Sequence, residues 1–136
     1  MPCFPNKGRR FRRYPHSPGQ AFKSGAALVL VGGKVMECEA NPTSILGFAM
    51  HAAGEDPEGN FVTVALAYDD STFFIEADTL PDAAKVGSSF DIKMDADGIW
   101  YINTASSAKP RLRIVAADPL RRYYEVSVLA ANRQLA

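Results

Sequence analysis

Six consecutive residues near the N-terminus combine guanidinium groups with aromatic rings. Guanidiniums bind carboxylates or phosphates, often through two parallel hydrogen bonds, and aromatic side chains add apolar contact area or stack on bases. The chemistry that this pattern predicts is therefore docking onto an acidic surface. With one nearby phenylalanine, the candidate docking residues are Phe4, Arg9, Arg10, Phe11, Arg12, Arg13 and Tyr14.

Catalytic chemistry has few candidates in this chain. A nucleophile needs a base beside it, and His51 and Cys38 are the pair that could meet across a hairpin. No oxyanion loop or third orienting residue accompanies them, and a histidine at the end of a strand more commonly faces solvent. The sequence therefore predicts a protein that is not an enzyme.

Metal and cofactor sites are not predicted either. The cysteines and histidines show neither a C-x₂-C nor an H-x₃₋₅-H spacing. Asp95, Asp97 and Gly98 are similar to the start of a calcium loop, but Ser106 stands where such a loop needs a bidentate glutamate. These residues predict a tight turn between two strands.

Charge and proline divide the chain into two parts. Residues 1–20 hold five cations, four prolines and no acid, whereas residues 21–136 have a net charge of −5. Prolines remove backbone donors and block helices. We therefore expect residues 1–20 to form an extended basic arm that orders only against another surface, and residues 21–136 to form a single β-rich domain.

Two cysteines, Cys3 and Cys38, are too few for a disulfide framework. We expect both to be unpaired thiols in a protein made in a reducing compartment, with Cys3 on the mobile arm. No signal peptide and no membrane span are predicted, because the apolar run at Ala26–Val31 is short and ends in two glycines.

Short strands separated by turn residues run through the rest of the chain. Their spacing of roughly 8–12 residues predicts a mainly β fold, a small antiparallel β-barrel or sandwich of about eight short strands with the extended N-terminal arm. Gly47 indicates a bulge or a close backbone approach. The predicted hairpins join residues 26–31 to 36–38, 61–68 to 72–76, and 90–94 to 99–103. After the strand at 112–116, Asp118 and Pro119 predict a turn that leads to a last strand at 123–129.

The order of these segments resembles that of tailed-bacteriophage head decoration proteins. The resemblance covers residues 21–136 and lies in strand patterns and turn glycines, with no catalytic signature. It is carried by Gly25–Val35, Ile45–Ala49, Val62–Tyr68, Val86-Gly87, Asp97–Trp100, Ile114–Pro119 and Tyr124–Val128.

This resemblance implies a capsid cement protein. Such a protein binds the outer surface of the major capsid protein shell and stabilises it, commonly as a homotrimer, so we expect a virion structural protein made in the bacterial host cytoplasm. The arm lies outside the resembling pattern. We expect its docking residues to lie on neighbouring capsid subunits.

A second interpretation is a small β-barrel that binds single-stranded nucleic acid. The arginines and aromatics of the arm suit it, as would exposed rings at Trp100 and Tyr101. The acidic body would repel phosphates. Nucleic acid is therefore the less favoured partner.

Overall fold

The computed structural model describes residues 3–135, which form two antiparallel sheets around one hydrophobic core. The mainly β class predicted from the sequence is confirmed. The strands are β1 (Phe4–Pro5), β2 (Phe11–Pro15), β3 (Ala27–Val31), β4 (Lys34–Glu37), β5 (Gly47–Ala49), β6 (Phe61–Leu66), β7 (Phe73–Glu76), β8 (Ser89–Met94), β9 (Trp100–Asn103), β10 (Leu112–Asp118) and β11 (Tyr123–Val128). Two single 3₁₀ turns cover Ala83–Lys85 and Ala130–Asn132.

One sheet has the strand order β1-β7-β11-β10-β8-β9, and the other has the order β2-β6-β5-β3-β4. Both sheets curl. A parallel bridge between Ala77 and Ile102 brings the end of β7 to β9, and a second bridge between His16 and Val35 brings the end of β2 to β4.

The core is built from alternating side chains of both sheets, as the period of two along a strand requires. On β11 the inward residues Tyr124, Val126 and Val128 are buried, as their spacing predicts. Across the core the rings of Phe48 and Phe73 lie 4.7 Å apart in an edge-on contact. The two sheets therefore stabilise each other through one shared apolar interior.

Two of the predicted hairpins are present, β3 with β4 and β8 with β9, and β10 pairs with β11 across the predicted turn. Local turn chemistry explains the second of them. The Asp95 carboxylate accepts hydrogen bonds from the backbone N–H groups of Asp97 and Ile99 at 2.8 and 3.0 Å, and Gly98 adopts a φ of +81°. That is a conformation in which glycine is unstrained.

The predicted pairing of residues 61–68 with residues 72–76 is wrong. Strand β6 pairs with β2 and β5, whereas β7 belongs to the other sheet and pairs with β1 and β11. The turn between them is anchored by Ser71, a buried residue whose hydroxyl accepts from Tyr68 N–H at 3.1 Å and donates to the Gly8 carbonyl at 3.1 Å. This anchoring directs the chain from one sheet to the other.

The expectation that the arm orders only against another surface is also wrong. Residues 3–16 are packed into the protein itself, with β1 on the free edge of β7 and β2 along the whole length of β6. Cys3, expected on a mobile arm, is buried, as is His16. Prolines did not prevent pairing, because strands at sheet edges can lack a donor on their outer side.

Within residues 3–135 the protein contains no helix long and apolar enough to cross a membrane.

Candidate docking face

The structure divides the predicted docking residues between two sheets. Phe4 lies on β1, where its ring packs 5.0 Å from Phe74 and 5.6 Å from Tyr123. It is half-buried, so its apolar area is already used inside the protein. The other six residues lie together on β2 and just before it. We call the surface that residues 9–14 form the β2 face.

The β2 face is positioned by its pairing with β6. Antiparallel register sets Phe11 opposite Ala65 and Tyr14 opposite Val62. Because side chains alternate along a strand, Phe11 and Arg13 share one side of the sheet, while Arg12 and Tyr14 share the other. Tyr14 packs partly against the core.

Arg13 is held by carboxylates at one end of β6. Its guanidinium donates two hydrogen bonds to the Asp56 carboxylate at 3.0 and 3.1 Å, lies 3.5 Å from Glu58, and sits 4.0 Å over the Phe61 ring. The hydrogen bond from Arg13 lowers the pKa of Asp56, and the hydrogen bond to Asp56 raises the pKa of Arg13. Arg13 is therefore committed to an internal contact.

Arg10 is paired at the other end of the same strand. Its guanidinium lies 3.1 Å from the Asp70 carboxylate and 4.5 Å from the centre of the Tyr68 ring. Both charged side chains are about half exposed, at 48% and 52%, so solvent screens this pair and its contribution to stability is small.

Arg9 and Arg12 carry the uncompensated charge of the face. Arg9 Nε donates to the Asn6 carbonyl at 2.9 Å, and the Arg12 guanidinium lies 5.4 Å from the Tyr14 ring. Neither forms an ion pair with a carboxylate in residues 3–135. Phe11 lies between them in the sequence, with its ring on the opposite side of the sheet from Arg12 and 48% of its surface exposed. The available part of the face is two cations and one ring.

The pairing of Asp56 and Asp70 with the arm was not predicted from the sequence. The available signal was their position: acidic loops precede and follow the strand at Phe61–Leu66. An arm with arginines a few residues apart can pair with both loops if it lies alongside that strand, as β2 does. No local rule identifies which strand that is.

The histidine that could have been catalytic has a structural role. The Nδ1 atom of His51 lies 3.1 Å from the Ala52 carbonyl, and its Nε2 accepts from the Thr63 backbone N–H at 3.1 Å. Both ring nitrogens are therefore used, and the Cys38 thiol donates elsewhere, to the Ser44 carbonyl at 3.7 Å. The Cys38 and His51 side chains do not hydrogen-bond each other.

Two neighbouring cavities of about 350 and 320 Å³ share the backbone from Glu76 to Asp78. Burial is the largest effect on the Asp78 carboxyl and opposes its ionisation, but hydrogen bonds from the Thr104 hydroxyl and N–H, at 2.7 and 2.9 Å, outweigh it and lower its pKa. Asp78 thus holds a loop in place. No group of three potential metal ligands occurs in the described chain, residues 3–135.

Trp100 does not provide an exposed stacking surface. It is 1% exposed and its indole N–H donates to the Glu37 carboxylate at 3.0 Å. Tyr101 is half-buried. Of the two exposed rings expected to stack on single-stranded nucleic acid at this hairpin, only the partly covered ring of Tyr101 is accessible.

No protein-family model matches the chain, and no curated protein is significantly similar to it in sequence.

Proposed function

We propose that this protein is a capsid decoration protein that binds the outer surface of a major capsid protein shell and stabilises it. The proposal joins the resemblance of residues 21–136 to phage head decoration proteins with the β2 face. In this proposal it is a structural protein of the virion and not an enzyme. The resemblance favours a homotrimer.

The observation that carries the proposal is the surplus positive charge of the β2 face. Arg9 and Arg12 present guanidiniums without carboxylate partners in residues 3–135, and the half-exposed Phe11 adds an apolar ring on the other side of the sheet from Arg12. Aromatic residues and arginines are enriched in protein interfaces relative to the rest of the surface. Carboxylates on a capsid surface would pair with these guanidiniums and so fix the register of docking.

Docking by this face differs from docking by a flexible tether. Since residues 3–16 are already ordered in the protein, binding does not require the ordering of a free arm, which would oppose it by side-chain and backbone entropy. The face therefore acts as a rigid patch, and it can contact only those capsid subunits that lie directly against it.

The test is a charge reversal on the face with a matched reversal elsewhere. The double variant Arg9→Glu/Arg12→Glu should bind capsid shells at least about tenfold more weakly, since each lost charged contact is worth roughly 1 kcal/mol or more. Binding is measured by co-sedimentation with shells assembled from the cognate major capsid protein.

The control is Lys93→Glu/Arg113→Glu, which makes the same charge change at exposed positions of β8 and β10 in the other sheet. It should bind as the unmodified chain does. Equal loss in both variants, or no loss in the first, would contradict docking through the β2 face.

Single-stranded nucleic acid remains the second candidate, because Arg12 and Tyr14 lie side by side on the exposed strand. The buried Trp100 argues against it. Fluorescence anisotropy with a labelled oligonucleotide at low salt distinguishes the two: nucleic-acid binding would be tight there and fall steeply as salt rises.

A further inference from the structure

The backbone of β2 is hydrogen-bonded on one side and open on the other. Leu66 N–H donates to the Arg10 carbonyl at 2.8 Å, and His16 N–H donates to the Asn60 carbonyl at 2.9 Å. In an antiparallel ladder the residues that bond the neighbour alternate with residues whose N–H and C=O point away from it. Residues 10, 12, 14 and 16 therefore bond β6, and the backbone groups of Phe11 and Arg13 point outward.

The outer edge is closed only at its C-terminal end. There the Ser17 N–H donates to the Val35 carbonyl at 3.0 Å, next to the bridge between His16 and Val35. Pro15, the next outward residue, has no N–H to donate. The open part of the edge is thus the stretch around Phe11 and Arg13, which coincides with the β2 face.

A second copy of this chain does not fit the open edge through its own β2. Pairing β2 with another β2 would bring the arginines of two copies together, and like charges opposite each other in a sheet are destabilising. A strand that carries carboxylates opposite Arg12 and an apolar residue opposite Phe11 would match both sides of the sheet. Charge complementarity therefore selects an acidic strand.

We propose that the β2 face binds its partner by strand addition: an extended, acid-bearing segment of another protein pairs with the open edge and continues the sheet beyond β2. The inference rests on the proposed function, since it names the kind of segment that the docking face takes. Its backbone bonds to Phe11 and Arg13 supply affinity, and alternating acidic and apolar side chains supply specificity.

The probe is a capped peptide of about seven residues with alternating glutamate and valine, long enough to span the open edge at ~3.3 Å per residue. Titration is followed by amide hydrogen exchange in two-dimensional NMR. Exchange at Phe11 and Arg13 should slow at least about tenfold on binding, whereas Arg12 and Tyr14, already bonded to β6, should change little.

Two matched comparisons separate backbone pairing from charge attraction. The same peptide with alternate N-methylated amides keeps every side chain but loses the donors of one edge, so it should bind roughly tenfold more weakly. In the protein, Phe11→Pro and Phe11→Ala both remove the ring, but only the proline removes the outward N–H. The proline variant should bind several-fold more weakly than the alanine variant.

Strand addition is wrong if the N-methylated peptide binds as tightly as its parent or if the two Phe11 variants bind alike. An equally tight lysine-valine peptide would overturn the acidic character of the segment. Dimerisation of the protein through this edge would show that the edge pairs with a second copy of the chain and would overturn the proposed acidic partner segment. None of these peptide results decides the shell-binding test. If the Arg9→Glu/Arg12→Glu variant binds capsid shells as tightly as the unmodified chain, the proposed function is wrong, whether or not the peptide binds.

Discussion

Gly8 lies where the chain passes from the six-stranded sheet to the five-stranded sheet. Its φ is +61°, and a Cβ atom there would overlap the backbone carbonyl of Asp70. Gly47 is similarly restricted, because a Cβ would meet the Ala65 carbonyl of the neighbouring strand. The close approach predicted for Gly47 from the sequence is confirmed. The close approach at Gly8 was not predicted from the sequence, because the residue that it contacts, Asp70, is more than sixty positions away in the chain.

The two thiols give a prediction at the scale of single residues. Burial raises the pKa of Cys3. The pKa of Cys38 is raised to about 12, mainly by burial and to a smaller extent by the nearby negative charge of Glu37. At pH 8 roughly one Cys38 thiol in 10,000 would be ionised. We expect a thiol reagent such as Ellman's reagent to label the folded protein at least about 100-fold more slowly than the urea-unfolded protein.

Labelling of each cysteine is assigned with the single variants Cys3→Ser and Cys38→Ser. Rapid labelling of Cys3 in the folded chain would show that the N-terminal residues leave the core readily. That result would contradict the packing of β1 against β7.

At the scale of elements, β6 organises the second sheet. It carries β5 on one side and β2 on the other, and the loops at its ends supply Asp56 and Asp70 to the arginines of β2. Hairpins such as β8 with β9 follow from nearby turn residues and could be predicted. The pairing of β2 with β6 joins residues about fifty positions apart, and strand patterns alone do not specify such partners.

Removal of residues 1–16 tests whether the arm is part of the folded unit. The truncation deletes β1 and β2 and uncovers the edges of β7 and β6, so we expect a loss of roughly 4 kcal/mol or more in the free energy of unfolding, or no cooperative unfolding at all. Urea denaturation followed by circular dichroism measures it.

The control for this truncation is Arg9→Gln/Arg12→Gln, which removes charge from the same segment and retains both strands. It should unfold within about 0.5 kcal/mol of the unmodified protein. A truncated chain as stable as the full chain would mean that the arm is an appendage. Because the truncation is expected to destabilise the fold, loss of shell binding by the truncated chain alone would not show whether the docking face or the fold had been lost.

At the scale of the whole molecule, the two charged parts recognised in the sequence are partly neutralised against each other. The arm's Arg10 and Arg13 pair with acids of the body, whereas Arg9 and Arg12 form no ion pair in residues 3–135. A chain of zero formal charge thus keeps a positive face beside an acidic body, residues 21–136. Such an arrangement favours oriented binding rather than general attraction to phosphates.

The lowered pKa values of Asp56 and Asp78 predict how stability depends on pH. A carboxyl with a lower pKa in the folded state binds fewer protons than in the unfolded chain, so its contribution is present above the unfolded value near 3.9 and is lost as the pH falls through the folded value. We expect urea midpoints to be nearly constant between about pH 7 and 5 and to decline below about pH 4.

Asp56→Asn isolates the contribution of the Arg13 pair. Its urea midpoint should lie below that of the unmodified protein at pH 7, and the difference should shrink as the pH falls below about 4. Asp69→Asn, an exposed carboxylate without an ion pair in residues 3–135, serves as the control. A constant difference at all pH values would contradict a stabilising Arg13–Asp56 pair.

The sequence by itself determined the β-rich class, two local hairpins and the cluster of cations and aromatics, because each depends on residues near one another in the chain. Only the tertiary structure decided that the basic arm is a strand in each sheet, that β6 and β7 separate, and that two of four arginines are already paired. Those outcomes depend on contacts between distant residues, whose free energies compete across the whole molecule and leave no local pattern.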